Sequence, residues 1–508
     1  MNLSEIAAAH PDKDAVVLAD GSARVSFADL DLRSTRLADF FAAQGLSRGD
    51  HIAIVMENRP EFLEVAWAAQ RCGLMYTPVN WHLTAAEAEY VVDDCGARIL
   101  ISGVGAGELA AKIRARVSRV EIAIAVGGPI EGHVDYESIV DNPPASTPPH
   151  EPIEGYYFFY SSGTTGRPKG IEPTHDFPPF GTGLPLDAMM PAYGVSSSTV
   201  YLCPAPLYHA APLGWSLAMQ RQGATVVLMP SFDARECLSA IETHGVTHAQ
   251  FVPTMFVRML KLDPEVRSAF DVSSLRLVVH AGAPCPVPVK QQMIEWFGPV
   301  LFEYYSGSEG NGMTAITSSE WLDHPGSVGR AVYGTVHILD DAGDELPTGE
   351  IGTVFFSGTR EFRYLNDPAK TEDARNARGW QTIGDLGHLD ADGYLYLSDR
   401  RSDLILSGGV NIYPQEIESA LVIHPAVADV AVIGVPDDEM GERVHAVIEL
   451  AEGVDAGDAI TDELVAHCRI HLAGFKQPRS IAFVDEVPRT PSGKLLRRRL
   501  REALPAVR

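Results

Sequence analysis

The sequence predicts a multidomain α/β protein: a large N-terminal region of two α/β subdomains with a small β subdomain attached, then a smaller C-terminal domain of mixed α and β structure. Three observations predict it. The chain has 508 residues, too many for one ordinary hydrophobic core. Up to about residue 325, amphipathic helical segments alternate with short apolar runs, the rhythm of parallel α/β layers. From Gly326 to Arg400 the texture changes, and glycines at 326, 329, 334, 343, 349, 352 and 358 separate short β-branched and aromatic runs in a turn-rich β pattern.

Taken in order, Ser26 with Asp29 three residues later opens a helix that puts Leu30, Leu37 and Phe41 on one face. His51 to Met56 is a buried strand. Asn58, Pro60 and Glu61 start a second helix, and Gly73 closes it. Thr84 and Glu87 form a capping box, and their helix leads into a strand from Arg98 to Ile101. Gly103, Gly105 and Gly107 imitate a dinucleotide loop, but the last glycine of that fingerprint falls on Glu108, so the run reads as a surface turn. The Pro- and Ser-rich stretch 142–153 marks a break before the second α/β region. The aromatic run Tyr156 to Tyr160 reads as one strand. The last hundred or so residues return to mixed structure, with basic residues gathered at Lys494 and at Arg497 to Arg499.

Composition excludes several classes of function. Hydrophobic content of 45% and charged content of 21% are those of a soluble globular protein. No run approaches the roughly 18 apolar residues of a membrane span, and neither a secretory leader nor a peroxisomal address is read at the termini. The net charge of -27 repels phosphate backbones, so nucleic acid is not an expected partner. The six cysteines are scattered without a C-x-x-C pair, which fits a reducing cytoplasm and neither zinc nor a disulfide framework.

The most informative segment is Tyr160-Ser161-Ser162-Gly163-Thr164-Thr165-Gly166-Arg167-Pro168-Lys169-Gly170. Glycines let backbone N–H groups converge on an anion, the four hydroxyls add donors, and Lys169 supplies charge. One such charge pair at about 4 Å and an effective dielectric near 20 is worth about 4 kcal/mol. The spacing is not that of a Walker loop, and a flexible Ser/Gly linker would not follow an apolar strand and end in Arg-Pro-Lys-Gly.

This loop resembles the signature of the adenylate-forming superfamily of acyl-CoA synthetases, nonribosomal adenylation domains and beetle luciferases. The resemblance covers nearly the whole chain and is nearest to stand-alone bacterial acyl-CoA synthetases. It implies a barrel-like form for the small β subdomain, and a mobile C-terminal domain (402–508) that swings against residues 1–401. It also implies ATP and Mg2+ as cofactors, with Ser161 to Gly166 on phosphate and Lys169 catalytic. Glu303-Tyr304-Tyr305-Ser306-Gly307-Ser308-Glu309-Gly310 resembles the Tyr-Gly-x-Thr-Glu motif. Glu303, Tyr304 and Tyr305 would line the nucleotide, with the Tyr305 ring on adenine, Ser308 would touch phosphate, and Glu309 with Thr164 would hold the metal. Ser306 departs from the family glycine and Ser308 from its threonine. Gly282, Ala283 and Pro284 resemble the other wall of the adenine slot. Asp385, in Trp380-Gln381-Thr382-Ile383-Gly384-Asp385, resembles the ribose-binding carboxylate. Arg400 would reach ribose or phosphate, and Ser402 stands at the hinge, where Asp or Lys is common. Ser407, Gly408 and Gly409 would let the pantetheine arm of coenzyme A pass. Lys494, in Pro491-Ser492-Gly493-Lys494, resembles the catalytic lysine that bridges carboxylate and α-phosphate.

The implied acid pocket holds His209, Ala210, Gly214, Gly282 and Gly307. Its many small residues suggest room for a medium- or long-chain fatty acid, or for a bulky alicyclic acid of terpenoid or steroid type. No buried charge pair is visible that would favour an amino acid. The reaction implied is acid plus ATP to acyl-AMP, then thioester formation with coenzyme A. Two other readings stay open: an acyl-AMP ligase that loads a separate carrier protein, and a non-catalytic nucleotide sensor. A homodimer is left open.

Overall fold

The computed structural model describes residues 2–142, 152–161, 168–174, 176–400, 403–408, 410–437, 439–490, 493 and 495–503. The chain divides into two compact units. The first comprises Met1–Phe251, Pro264–Val278 and Arg360–Thr371; the second comprises Val252–Asp263, Val279–Thr359 and Glu372–Arg508.

The first unit contains an all-parallel six-stranded sheet. Its order is Val134–Asp135, Ile122–Val126, Ile99–Gly103, His51–Val55, Met75–Pro78 and Tyr156–Tyr157. The inner strands are near-continuous apolar runs because both faces are covered; all five residues of Ile99–Gly103 are buried. A second set of parallel strands runs His248–Phe251, Val200–Cys203, Thr225–Leu228 and Asp14–Leu18, edged by antiparallel Arg24–Ser26. The local signals read from the sequence explain the helices. Ser26 caps helix Phe27–Ala43 by accepting the Asp29 N–H at 3.0 Å, and Leu30, Leu37 and Phe41 are fully buried. Thr84 and Glu87 close a reciprocal capping box on helix Ala85–Asp94.

Two expectations change. Asn58 does not cap helix Pro60–Arg71; Arg59 holds that position without a side-chain bond. Asn58 is buried instead, donating to the Ala205 and Met229 carbonyls at 3.0 and 2.9 Å and accepting the Leu207 N–H at 2.8 Å. Its amide satisfies backbone groups of two distant loops, which no local pattern could announce. The run from Tyr156 to Tyr160 is two strands: Tyr156–Tyr157 pairs in parallel with Met75–Pro78, while Tyr160–Ser161 pairs antiparallel with Lys169–Glu172.

A buried ion pair also appears where none was expected. Arg221 (2% exposed) bonds Glu154 (0% exposed), donates to Gln70 Oε1 at 2.6 Å and lies 3.2 Å from Asp187. Such a charge is tolerated in a core only when paired and hydrogen-bonded.

The second unit carries antiparallel strands Leu301–Ser306, Met313–Thr317 and Arg330–Tyr333. The turn-rich region forms a four-stranded antiparallel sheet ordered Thr335–Leu339, Gly352–Ser357, Asp385–Leu389 and Leu395–Arg400. The expected barrel-like form is corrected to an open sheet, because among the described residues its first and last strands do not pair. Val328, Ile338, Val354, Phe356 and Leu395 form its core. The C-terminal part has a five-stranded sheet. Its spine is Val427–Asp437 paired antiparallel with Gly441–Leu450, which also pairs in parallel with Ser480–Val484. Helices Pro414–Val422 and Asp458–His471 belong to the same part. Among the described residues, no helix is long and apolar enough to cross a membrane.

Candidate active site

In the first unit, the glycine- and hydroxyl-rich segment connects two paired strands. Ser161 lies opposite Lys169, and Tyr160 opposite Gly170. The hairpin base is tightly held. The Tyr160 hydroxyl donates to Asp94 Oδ2 at 2.7 Å, and Asp94 Oδ1 accepts from Asn366 at 3.2 Å. A Cβ on Gly170 would lie 2.8 Å from Phe158 and 3.0 Å from Tyr160, so only glycine fits between those rings. Lys169 places its ammonium over the Tyr364 ring, 5.3 Å from the centroid, a contact that orients the charge without neutralising it. Ser162, Gly163, Thr164, Thr165 and Gly166 lie outside the described residues.

His209 stands at the N-cap of helix Ala210–Arg221, its ring 4.7 Å from that of Tyr208. Ala210 is the first residue of the helix and Gly214 is buried one turn on. A side chain at Gly214 would grow toward Leu186 and the Tyr157 hydroxyl, at 3.8 and 3.9 Å. Those two residues therefore bound the space that the missing side chain leaves. The sequence reading missed both, because each is one apolar or aromatic residue among many.

In the second unit, two motif segments meet. The Tyr305 hydroxyl donates to Asp385 Oδ2 at 2.6 Å, joining residues 80 apart in sequence. Asp385 is buried and opens its strand after Gly384, whose φ of +84° suits glycine. Thr382 fixes that turn by donating to the Val354 carbonyl at 2.7 Å and accepting the Gly384 N–H at 3.0 Å. Arg400 lies directly across from Asp385 in the strand pair.

Ser306 ends its strand, and its hydroxyl donates to the Gly312 carbonyl at 2.8 Å. The departure from the family glycine thus braces the turn from 306 to 312. Gly307 cannot be replaced so easily. A Cβ there would lie 2.9 Å from both Asn311 Oδ1 and Glu309 Oε2, and 3.0 Å from Ile383 Cδ1. Glu309 therefore folds back over Gly307, with the exposed Ser308 between them. A carboxylate beside a hydroxyl is the hard-oxygen donor set that suits magnesium.

Glu303, expected at the nucleotide, holds its carboxylate against a buried lysine. Its side chain is 4% exposed and accepts from Lys290, itself 0% exposed, at 2.5 Å. Burial pushes the Glu303 carboxyl up while Lys290 pulls it back. Lys290 also sits 4.9 Å from the Trp321 centroid. His280 lies 3.7 Å from Glu303, fully buried with neither ring nitrogen hydrogen-bonded among the described residues, and burial beside the Lys290 ammonium keeps it neutral. In sequence, Glu303 immediately precedes Tyr304–Tyr305 and His280 immediately precedes the Ala281–Gly282–Ala283–Pro284 loop. Gly282 has φ +86° and leaves 3.8 Å between a Cβ and Val252.

Ser407 pairs with Val410 at the end of a short hairpin, and Gly408 has φ +57° with Met440 close by. Gly409, Ser402, Lys494 and the Arg400 side chain lie outside the described residues. Gly493, next to Lys494, is described and buried.

Comparison with known proteins shows the family. A family model described as AMP-binding enzyme matches residues 3–363, and the AMP-binding enzyme C-terminal domain matches residues 416–494. The chain is 30% identical to the long-chain-fatty-acid–CoA ligase FadD13 of Mycobacterium tuberculosis, over 98% of this chain and 97% of that protein. It is 34% identical to a feruloyl-CoA synthase of Amycolatopsis sp, over 96% and 95%. Among solved structures, the anthranilate CoA ligase AuaEII in complex with anthranoyl-AMP superposes with a TM-score of 0.82 at 27% identity, covering 99% of this chain and 97% of that one. With both family models matched and relatives aligned end to end, the chain belongs to the AMP-binding enzyme family, within the adenylate-forming superfamily that its motifs resemble.

Proposed function

We propose that this chain activates a carboxylic acid with ATP as an acyl-adenylate and then transfers the acyl group to coenzyme A, releasing pyrophosphate and AMP. It is an acid–thiol ligase of the adenylate-forming type. The observation that carries the reading is the Tyr305–Asp385 hydrogen bond, which joins the candidate adenine-stacking ring to the candidate ribose carboxylate.

Carboxylate attack on the α-phosphate brings two anions together. Lowering that repulsion and holding the nucleophile in line are the main tasks. Ser161 to Gly166 and Lys169 bind the phosphates, Asp385 and Arg400 hold the ribose, and Lys494 bridges carboxylate and α-phosphate. Glu309 and Thr164 would hold magnesium, which would neutralise phosphate charge, and Ser308 would touch phosphate. Water must be excluded, since the mixed anhydride hydrolyses. For the second step, residues 402–508 swing about Ser402, withdrawing Lys494 and bringing Ser407 to Gly409 to the thiol.

The acid has an apolar body, medium- or long-chain or bulky alicyclic, and His209, Ala210, Gly214, Gly282 and Gly307 are the residues proposed to contact it. The cytoplasm is the proposed location. AMP release should be measured over a panel of fatty, aryl and alicyclic acids, with and without coenzyme A. Release that depends on both acid and coenzyme A supports the reading. Release equally fast without coenzyme A rejects coenzyme A as acceptor. Lys494→Ala should abolish adenylation yet spare thioester formation from supplied acyl-adenylate, and equal loss of both would reject the swing.

A further inference from the structure

The helix Pro253–Leu260 is held at both ends by segments far away in sequence. At its N-terminal end it meets Gly493. A Cβ on Gly493 would lie 2.5 Å from Thr254 Oγ1 and 3.4 Å from Val252, and φ there is +81°. Both the close approach and the backbone conformation call for glycine. At the other end Lys261 is the C-cap. Its ammonium donates to the carbonyl oxygens of Val427 and Ala428, the latter at 3.0 Å.

The two ends are joined through a third group. Asp429, next in sequence to Ala428, accepts from Arg489 at 2.5 and 2.8 Å. Arg489 Nη1 in turn donates to the Gly493 carbonyl at 2.6 Å. The contacts close a ring that runs from Lys261 to the start of strand Val427–Asp437, through Arg489 to Gly493, and back along the helix from Thr254. The helix has 8 residues, so the two grips are about 12 Å apart at about 1.5 Å per residue. A single grip would leave a pivot; two at that separation fix an orientation.

Gly493 immediately precedes Lys494. We infer that Lys261 is a positioning residue for the adenylation half-reaction: by gripping the Val427 and Ala428 carbonyls it keeps Arg489 in place and Gly493 seated on the helix, and so holds Lys494 where adenylation needs it. The inference rests on the functional reading above, but Lys261 lies in none of the motifs that carry that reading. Thioester formation, which needs Lys494 withdrawn, does not need the grip. Lys261 is exposed, so its replacement opens no cavity. Methionine keeps the stem and loses the donors, whereas arginine keeps both charge and donors.

The test compares wild type, Lys261→Met and Lys261→Arg as full-length proteins. Without any substrate, hydrogen exchange should be faster in peptides spanning 488–496 of Lys261→Met and near wild type in Lys261→Arg. With decanoate and then ferulate as probe acids, acid-dependent ATP–pyrophosphate exchange should fall about ten- to a hundredfold in Lys261→Met, the scale of a lost hydrogen bond from a charged group. Conversion of supplied decanoyl- or feruloyl-adenylate to the thioester should stay within about twofold, and Lys261→Arg should recover most of the exchange. Unchanged protection at 488–496, unchanged pyrophosphate exchange, or equal loss of both half-reactions would each overturn the inference. Faster hydrogen exchange in Lys261→Met, with no pyrophosphate exchange in wild type for either acid, would leave the grip standing and count against the functional reading.

Discussion

Tyr305→Phe isolates one atom of the proposed nucleotide site. The change keeps the ring and removes only the hydroxyl, which donates to Asp385 Oδ2 at 2.6 Å. The acceptor is 7% exposed, so little water can replace the lost donor. A hydrogen bond to a charged group contributes about 1.5–3 kcal/mol. At about 1.36 kcal/mol per tenfold, that corresponds to about 10- to 150-fold. The carboxylate also faces ribose in the proposed complex, so the loss should appear as a higher KM for ATP, with the KM for the acid unchanged. Steady-state kinetics with each substrate varied in turn would measure it. Tyr305→Ala, which loses the ring as well, should be worse than Tyr305→Phe. If Tyr305→Phe raised the acid KM and left the ATP KM alone, the bond would not be orienting a ribose ligand and the reasoning would fail.

Two further predictions concern the same unit. Lys290→Met leaves the buried Glu303 without its cation and should destabilise the protein by about 3–5 kcal/mol. Glu303 is already raised by burial and rises further without Lys290. Its folded form then binds more protons than its unfolded form between the two pKa values, so stability falls as pH rises through that window. Thermal melts should show a larger deficit at pH 8 than at pH 5.5, and a deficit independent of pH would refute the assignment. Gly307→Ala should push Glu309 aside, because the new Cβ would lie 2.9 Å from Oε2. The magnesium concentration giving half-maximal activity should rise several-fold, whereas an unchanged requirement would remove Glu309 from the metal site.

Features set by neighbouring residues are legible before the fold is known. Ser26, Thr84 and Glu87 act within three residues of their partners, so their caps were legible and are present. Buried parallel strands announce themselves as apolar runs, as Ile52–Val55 and Ile99–Ile101 do. What escaped depends on partners distant in sequence. Asn58 looked like a cap because its real acceptors belong to residues 205 and 229. Arg221 and Glu154 are single charges in apolar surroundings, 67 residues apart. Lys290 and Glu303 are invisible as a pair for the same reason. The strand break between Tyr157 and Tyr160 arises because the chain leaves one sheet for another, and an unbroken aromatic run carries no mark of that. At the site, the resemblance to family motifs singles out Tyr305 and Asp385 as candidates, but their contact comes only from the fold. Ser306 looked like a defect in a glycine motif until its bond to Gly312 showed what it braces.

The central claim is that this protein makes an acyl-adenylate before any thiol takes part. The direct measurement is acid-dependent exchange of labelled pyrophosphate into ATP, with coenzyme A left out, in wild type and Lys494→Ala. The account predicts exchange in wild type with at least one acid of the panel and none in Lys494→Ala. No exchange with any acid, or exchange that survives the loss of Lys494, would contradict it.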